Sequence, residues 1–187
     1  MGATKKTDNS YAADKIAMRV NHSPWPSDRP LRVLDCFGGK GIVWRGVERL
    51  SGKNVDRDCI EERHDLSDFH FHGDNLKVMP SLALLNYDVI DVDAYGVPAE
   101  QLKIILDSKF KGVVFVTLIQ TMQGAIPKII IEDLGIPLAV IEKAPSLIAR
   151  RGWEYSKEWL NLHGVAKIIH RSKGRKHYFC FRLSDVA

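Results

Sequence analysis

Three observations predict an α/β fold built on a mainly parallel sheet and closed by a C-terminal antiparallel hairpin. Short apolar runs alternate with helical segments along most of the chain, the order that a parallel sheet requires. The first run ends in an acid and a glycine-rich turn, Val33-Leu34-Asp35-Cys36-Phe37-Gly38-Gly39-Lys40-Gly41, that leads directly into a helix. The last two runs are β-rich and joined by a basic, glycine-containing turn, which reads as a hairpin. With 187 residues, 45% of them hydrophobic, the chain is sized for one globular domain with a substantial core. Its formal charge of +4 permits a polyanionic partner without requiring one.

Residues 1–10 are polar, and Tyr11 to Val20 has the pattern of a short helix with Asn9 or Ser10 as a candidate cap. Lys15 and Arg19 share one face of it, either as solvated charges or as ligands of a substrate phosphate near the site. Asn21 to Pro30 holds three prolines, which remove donors and fix φ, so this stretch is a linker into the core. Residues 1–30 are therefore expected to form an N-terminal helix and linker, and 31–187 the main domain.

Leu31 to Phe37 is expected as a buried strand, followed by a helix from Gly41 to Leu50. Glycines at 38, 39 and 41 let a ligand approach bare backbone, with the first helical N–H groups just beyond. The spacing does not fit the dinucleotide fingerprint G-x-G-x-x-G, because Trp44 stands where a small residue is needed. Lys53 to Val55 reads as a second short strand, followed by Asp56-Arg57-Asp58. A carboxylate at that strand's end can accept hydrogen bonds from both hydroxyls of a ribose. Asp56 is the first choice and Asp58 the fallback; alternatively, Asp56, Asp58, Glu61 and Glu62 simply begin a solvated helix.

Phe69-His70-Phe71-His72 alternates as a third strand, ending at Gly73-Asp74-Asn75. His70 and His72 share a face, but no third ligand is spaced to join them, and no metal site is expected. Tyr87 to Asp93 forms a central strand with Asp93 at its carboxyl end, the side on which open α/β sheets bind ligands. Ala99 to Ser108 is a helix and Val113 to Leu118 a fifth buried strand; Thr121 to Ala125 can lie by the site. Prolines 127, 137 and 145 break up the pattern of residues 126–148, and a helix is expected over Tyr155 to Leu162. The hairpin joins Val165–His170 to His177–Leu183. Arg171, Lys173, Arg175 and Lys176 of its turn are either solvated or, with Arg150 and Arg151, a basic rim for nucleic acid. Cys36, Cys59 and Cys180 are widely spaced, which points to a reducing cytoplasm rather than a disulfide framework. No apolar run reaches the roughly 18–20 residues of a membrane span, and no secretory leader is expected.

The stretch Asp35-Cys36-Phe37-Gly38-Gly39-Lys40-Gly41 resembles the first motif, D-x-F-x-G-x-G, of class I S-adenosylmethionine (SAM)-dependent methyltransferases. The resemblance implies a Rossmann-like, seven-stranded, mainly parallel sheet with a terminal hairpin, and SAM as cofactor. Phe37, Gly38, Gly39 and Gly41 would hold its methionine end, Asp35 would orient its amino group, and Asp56 its ribose. Asp74 would stand at the adenine. Asp93-Ala94-Tyr95-Gly96-Val97-Pro98 occupies the fourth-motif position, where amino-group DNA methyltransferases carry D-P-P-Y or a relative. It is more similar to the D-P-F-G-S-P of tRNA guanine-N2 dimethyltransferases, matching at the acid, aromatic, glycine and final proline and departing at Ala94 and Val97. By that resemblance Asp93, next to the cofactor, and the carbonyl of Ala94 would accept the hydrogens of an exocyclic nucleobase amine, and Tyr95 would stack on the base. The expected function is methyl transfer to such an amine, in RNA before DNA, with an activating or recognition subunit left open. Two other classes remain: a non-catalytic nucleic-acid-binding module of the same fold, and a nicotinamide-dependent oxidoreductase, against which Trp44 and the terminal hairpin stand.

Overall fold

The computed structural model of the chain describes residues 11–63, 70–120, 126–143 and 150–183. Its strands are β1 (Leu31–Asp35), β2 (Val55–Glu61), β3 (Phe71–His72), β4 (Val89–Asp93), β5 (Val113–Ile119), β6 (Ile168–Lys173) and β7 (Lys176–Arg182). The helices are α1 (Ala12–His22), α2 (Ile42–Ser51), α3 (Asn75–Val78), α4 (Ala99–Asp107), α5 (Lys128–Asp133), α6 (Leu138–Lys143) and α7 (Gly152–Leu162). The strands form one seven-stranded sheet in the order β3-β2-β1-β4-β5-β7-β6. Pairs among β1 to β5 are parallel, and β7 runs antiparallel to both β5 and β6. This is the mainly parallel sheet with a terminal hairpin that the alternation of elements predicts. The strand order reverses between β1 and β4, the switch point outside which open sheets bind ligands.

Alternate residues of the central strands sort onto two buried faces. Val33, Val89, Val113 and Phe115 pack against Met18 of α1 and Trp44 and Val47 of α2. Leu34, Ile90, Val92, Val114 and Val116 face a larger core with Leu102 and Ile105 of α4, Ile130 of α5 and Trp159 of α7. Each such side chain contributes about 1.5–3 kcal/mol on burial, so the doubly covered β1, β4 and β5 carry more of the stability than the edges. Trp44, which breaks the dinucleotide fingerprint, is what anchors α2. Its indole N–H donates to Asp91 Oδ2 at 2.7 Å, and its ring meets Phe115 edge-on.

Helix α1 corrects the reading of its two basic residues. Lys15 and Arg19 are 6% and 2% exposed, so they are neither solvated charges nor ligands waiting for a phosphate. The Arg19 guanidinium donates from Nε to Asp91 Oδ2 (2.7 Å) and from Nη2 to Asp91 Oδ1 (2.6 Å), while Nη1 donates to the Lys15 carbonyl (3.0 Å). Lys15 Nζ reaches both oxygens of Asp93. The cause is β4, which turns two acids toward the face that α1 covers, and a carboxylate is buried only with a partner. The cap candidates Asn9 and Ser10 lie outside the described residues, as do Thr121 to Ala125.

The hairpin also differs from its sequence reading. Its turn is only Gly174-Arg175, with Gly174 at φ 60°, so Arg171 and Lys173 are strand residues. Helix α7 begins at Gly152, earlier than expected, because Trp153 stacks on His170 and His177 at 4.0 and 5.1 Å and fastens the helix to the hairpin. The proline-interrupted stretch contains α5 and α6. Among the described residues no helix is long and apolar enough to cross a membrane, and the three cysteines are free.

Removing one member of a buried ion pair strands the other, at a cost of about 3–5 kcal/mol. Arg19→Met should lower the unfolding free energy by that amount in urea titration, and Arg19→Met with Asp91→Asn should recover part of the loss. An Arg19→Met protein as stable as its parent would show that this pair does not hold α1 in place.

Candidate active site

A cleft of about 260 Å³ opens at the carboxyl ends of β1, β2 and β3, with Phe37, Glu61, Asp74 and Gln101 in its lining. Glu61 is the last residue of β2. Its Oε2 accepts the Gly39 N–H at 2.9 Å and its Oε1 the Arg63 N–H at 3.0 Å, which staples the strand end to the glycine turn. A carboxylate offers about four acceptor positions, so capacity remains for a diol. Asp74 caps α3 by accepting the Leu76 N–H at 3.0 Å. Asn75 ties that helix to the Cys36 carbonyl (3.1 Å), and Gln101 ties α4 to Asn75 (2.8 Å).

The strand-end acid expected at Asp56 is thus found at Glu61. β2 continues to residue 61, and Asp56 sits five residues short of its end, roughly 16 Å away at about 3.3 Å per residue. The fallback, Asp58, lies mid-strand and accepts the Tyr87 hydroxyl at 2.7 Å. Three consecutive charged residues at 56–58 hid the strand. The signal that could have found Glu61 is the apolar pair Cys59-Ile60 immediately before it.

The glycine turn folds down onto β2. A Cβ on Gly38 would lie 1.7 Å from Cys59 Sγ, and Gly41, at φ 63°, would place one 2.7 Å from the Arg57 guanidinium. Arg57 therefore lies beneath the turn and reaches Asp35, Nη1 to Oδ2 at 3.3 Å, while the Phe37 N–H donates to Asp35 Oδ1 at 3.3 Å. Asp35 is 5% exposed and faces α1 and α2 rather than the cleft. Burial and then the charge of Asp91 push its carboxyl up to about 7, against the pull of Arg57.

Asp93 ends β4, with Lys15 Nζ at 2.6 and 2.8 Å from its two oxygens. Burial raises its pKa, but Lys15 and then Arg19 outweigh burial and hold the carboxyl below the ordinary aspartate range. Beyond it Ala94 is buried, whereas Tyr95 is 65% exposed. The Gly96 carbonyl accepts the Ile119 N–H (2.8 Å), and the Arg175 carbonyl accepts the Gln120 N–H (2.9 Å). Tyr95, the end of β5 and the hairpin turn are consequently contiguous. Lys173 is partly spent on Asp14 (2.6 Å) and, with Lys176, lies over the Tyr11 ring. Arg150, Arg151 and Arg175 are exposed. The structure therefore gathers Phe37, Glu61 and Asp74 in the cleft and Asp93, Ala94 and Tyr95 at the neighbouring strand end, and leaves Asp56 remote from both.

No protein-family model matches the sequence, and no curated protein matches it. Solved structures share its architecture. A Staphylococcus aureus protein described as a caffeoyl-CoA O-methyltransferase superposes with a TM-score of 0.54 at 11% identity, over 95% of this chain and 85% of its own. The SAH-bound methyltransferase PaMTH1 of Podospora anserina does so at 0.53 and 13% identity, over 97% and 81%. The methyltransferase domain of N-terminally truncated METTL16 gives 0.53 at 14% identity, over 96% and 84%. The fold is that of class I SAM-dependent methyltransferases.

The raised Asp35 has a pH signature. An acid at about 7 in the folded state against 3.8 unfolded binds its proton more tightly when folded. Its contribution therefore falls as pH rises from about 4 to about 7, where the unfolded chain has already released that proton. Relative to Asp35→Asn, the parent should lose stability across this window, a comparison in which the contributions of His170 and His177 cancel. Urea midpoints of the two proteins that run parallel from pH 4 to 8 would refute the assignment.

Proposed function

We propose that the chain is a SAM-dependent methyltransferase acting on an exocyclic nucleobase amine, in RNA before DNA and of the tRNA guanine-N2 type. The observation that carries this reading is the pairing, at one end of one sheet, of an acid-lined cleft with a strand-end acid followed by an exposed tyrosine. The cleft's donor set suits a nucleoside: Glu61 has acceptor positions left for ribose hydroxyls, and Asp74 and Phe37 flank the space beside them. The glycine turn offers backbone next to this space. Bound there, SAM supplies a methyl group made electrophilic by its sulfonium.

The rest of the work belongs to the chain. An exocyclic amine is a weak nucleophile because its lone pair is delocalised into the ring, so orientation must supply the reactivity. Asp93 and the Ala94 carbonyl would accept its two hydrogens and turn the lone pair outward. A carboxylate held below the ordinary aspartate range is a poor base but a constant acceptor, which favours positioning over proton abstraction before transfer; the methylated nitrogen, then cationic and strongly acidic, releases its proton afterwards to water or to Asp93. Tyr95, exposed beside this acid, offers a face on which an unstacked base can rest. Arg175, Arg150 and Arg151 add positive charge on the exposed surface, which suits a phosphate backbone. The similarity of Asp93 to Pro98 to the tRNA-modifying motif is what favours RNA.

The cofactor assignment is checked by calorimetry. Glu61→Ala should weaken SAM binding by about 1–3 kcal/mol, the cost of stranding hydrogen-bonding groups, whereas Asp56→Ala should leave it unchanged. The reverse pattern would remove the cleft as the cofactor site.

Turnover is checked by incubating methyl-labelled SAM with mixed tRNA or with DNA and analysing the nucleosides by mass spectrometry. Asp93→Ala should keep SAM affinity and lose about 100-fold or more in transfer, on the scale of one preorganised acceptor. Tyr95→Ala should weaken nucleic-acid binding by about 1–3 kcal/mol while Tyr95→Phe is nearly silent. Near-normal turnover in Asp93→Ala would reject the mechanism, and label appearing only in small molecules would reject the substrate class.

A further inference from the structure

We infer that Lys15 is a positioning residue for Asp93: its ammonium, seated on both carboxylate oxygens, fixes the plane of the carboxylate and directs the unused acceptor positions toward the target amine. This inference rests on the reading of Asp93 as the amine acceptor. The geometry is that of a built contact. Lys15 Nζ lies 2.6 Å from Oδ1 and 2.8 Å from Oδ2, so it occupies one acceptor position on each oxygen; with the buried Thr117 hydroxyl of the paired strand β5 as a further donor, at least one of the carboxylate's about four positions stays open. The Lys15 side chain is 7% exposed and that of Asp93 is 19% exposed, so the ammonium is enclosed while the carboxylate keeps an opening.

Lys15 is itself held from two sides. Its carbonyl accepts Arg19 Nη1 at 3.0 Å, and Arg19 is locked to Asp91, so the helix turn that carries the lysine cannot rotate away without breaking a buried ion pair. Its ammonium lies 5.5 Å from the centre of the Tyr178 ring on β7, a cation–π contact that fixes the other side. The charged and titratable groups around Asp93 are Lys15 and Arg19 from α1, Asp35 from β1, Asp91 on its own strand and the Tyr178 phenol from β7, and the paired strand β5 adds the neutral Thr117 hydroxyl. Against burial, Lys15 and then Arg19, with a smaller contribution from the Thr117 hydroxyl, hold the Asp93 carboxyl below the ordinary aspartate range. A terminal ammonium at this distance can set a carboxylate's orientation without entering the reaction, because it has donors only and no acceptor to offer the amine.

The test compares Lys15→Met and Lys15→Arg with the parent. If Lys15 positions Asp93, Lys15→Met should lower kcat about 10- to 100-fold, the scale of a small misplacement of a catalytic group, with SAM affinity unchanged. Its pH–rate profile should gain an acidic limb absent from the parent, since an Asp93 without its cation protonates at higher pH and a protonated acid accepts poorly. Lys15→Arg, which keeps the charge in place, should restore most of the rate. Carboxyl titration of carbon-13-labelled protein reads the contact without activity: Asp93 should titrate at higher pH in Lys15→Met than in the parent. Parent turnover and profile in Lys15→Met overturn the inference, and so does a faster variant, which would make Lys15 a competitor of the amine. A titration unmoved by the substitution overturns it as well. Should the parent transfer no methyl group to any nucleic acid, the functional reading fails, and the titration alone decides whether Lys15 governs the carboxylate.

Discussion

Three acids, Asp35, Asp91 and Asp93, stand on one face of the sheet near its carboxyl end, largely removed from water, and the chain reaches this arrangement by bringing cations to them and by pushing the Asp35 carboxyl up to about 7. Arg57 comes from the neighbouring strand, and Arg19 and Lys15 from a helix that precedes their acids by 72 and 78 positions. An unpartnered buried charge costs several kcal/mol, comparable to a good part of a domain's whole stability. Helix α1 is for this reason an integral wall of the core, and its orientation follows from the requirement that two residues one turn apart meet two acids two apart on β4. That orientation in turn carries Tyr11 and Asp14 to the hairpin.

The same cluster divides the ligand-binding end of the sheet. On the side of β2 and β3 lies a cleft whose acids, Glu61 and Asp74, retain acceptor capacity. On the side of β4 lies an acid already fixed by an ammonium. The glycine turn joins them, since Gly39 donates to Glu61 while Gly41 covers the arginine that reaches Asp35. Buried polar networks of this kind are satisfied together or not at all, so the turn, the cleft and the acceptor acid are built as one unit.

The antiparallel hairpin has a positional consequence. Because β7 runs against β5, the amino end of β7 lies beside the carboxyl end of β5, and the hairpin turn is delivered to the side of the sheet where ligands bind. A parallel last strand would have sent its preceding turn to the opposite end. The Gly96–Ile119 and Arg175–Gln120 hydrogen bonds then lock Tyr95 and the hairpin turn into one surface.

The sequence by itself determined the direction of the sheet, the glycine turn between β1 and α2, the terminal hairpin and the place of Asp93 at a strand end, because each is written in local periodicity or in a turn residue. It misplaced the end of β2, and with it Glu61, because the charged run Asp56-Arg57-Asp58 looks like a strand end or the start of a solvated helix, and nothing local shows that a parallel neighbour pairs with all three. It also displayed Lys15 and Arg19 without their role. A charged residue on a helix reads as solvated unless a partner is known, and here the partners lie 78 and 72 positions away. Only the tertiary structure could decide between water and a buried carboxylate, since the choice depends on which sheet face the helix covers, a property of the packed chain and not of any segment in it.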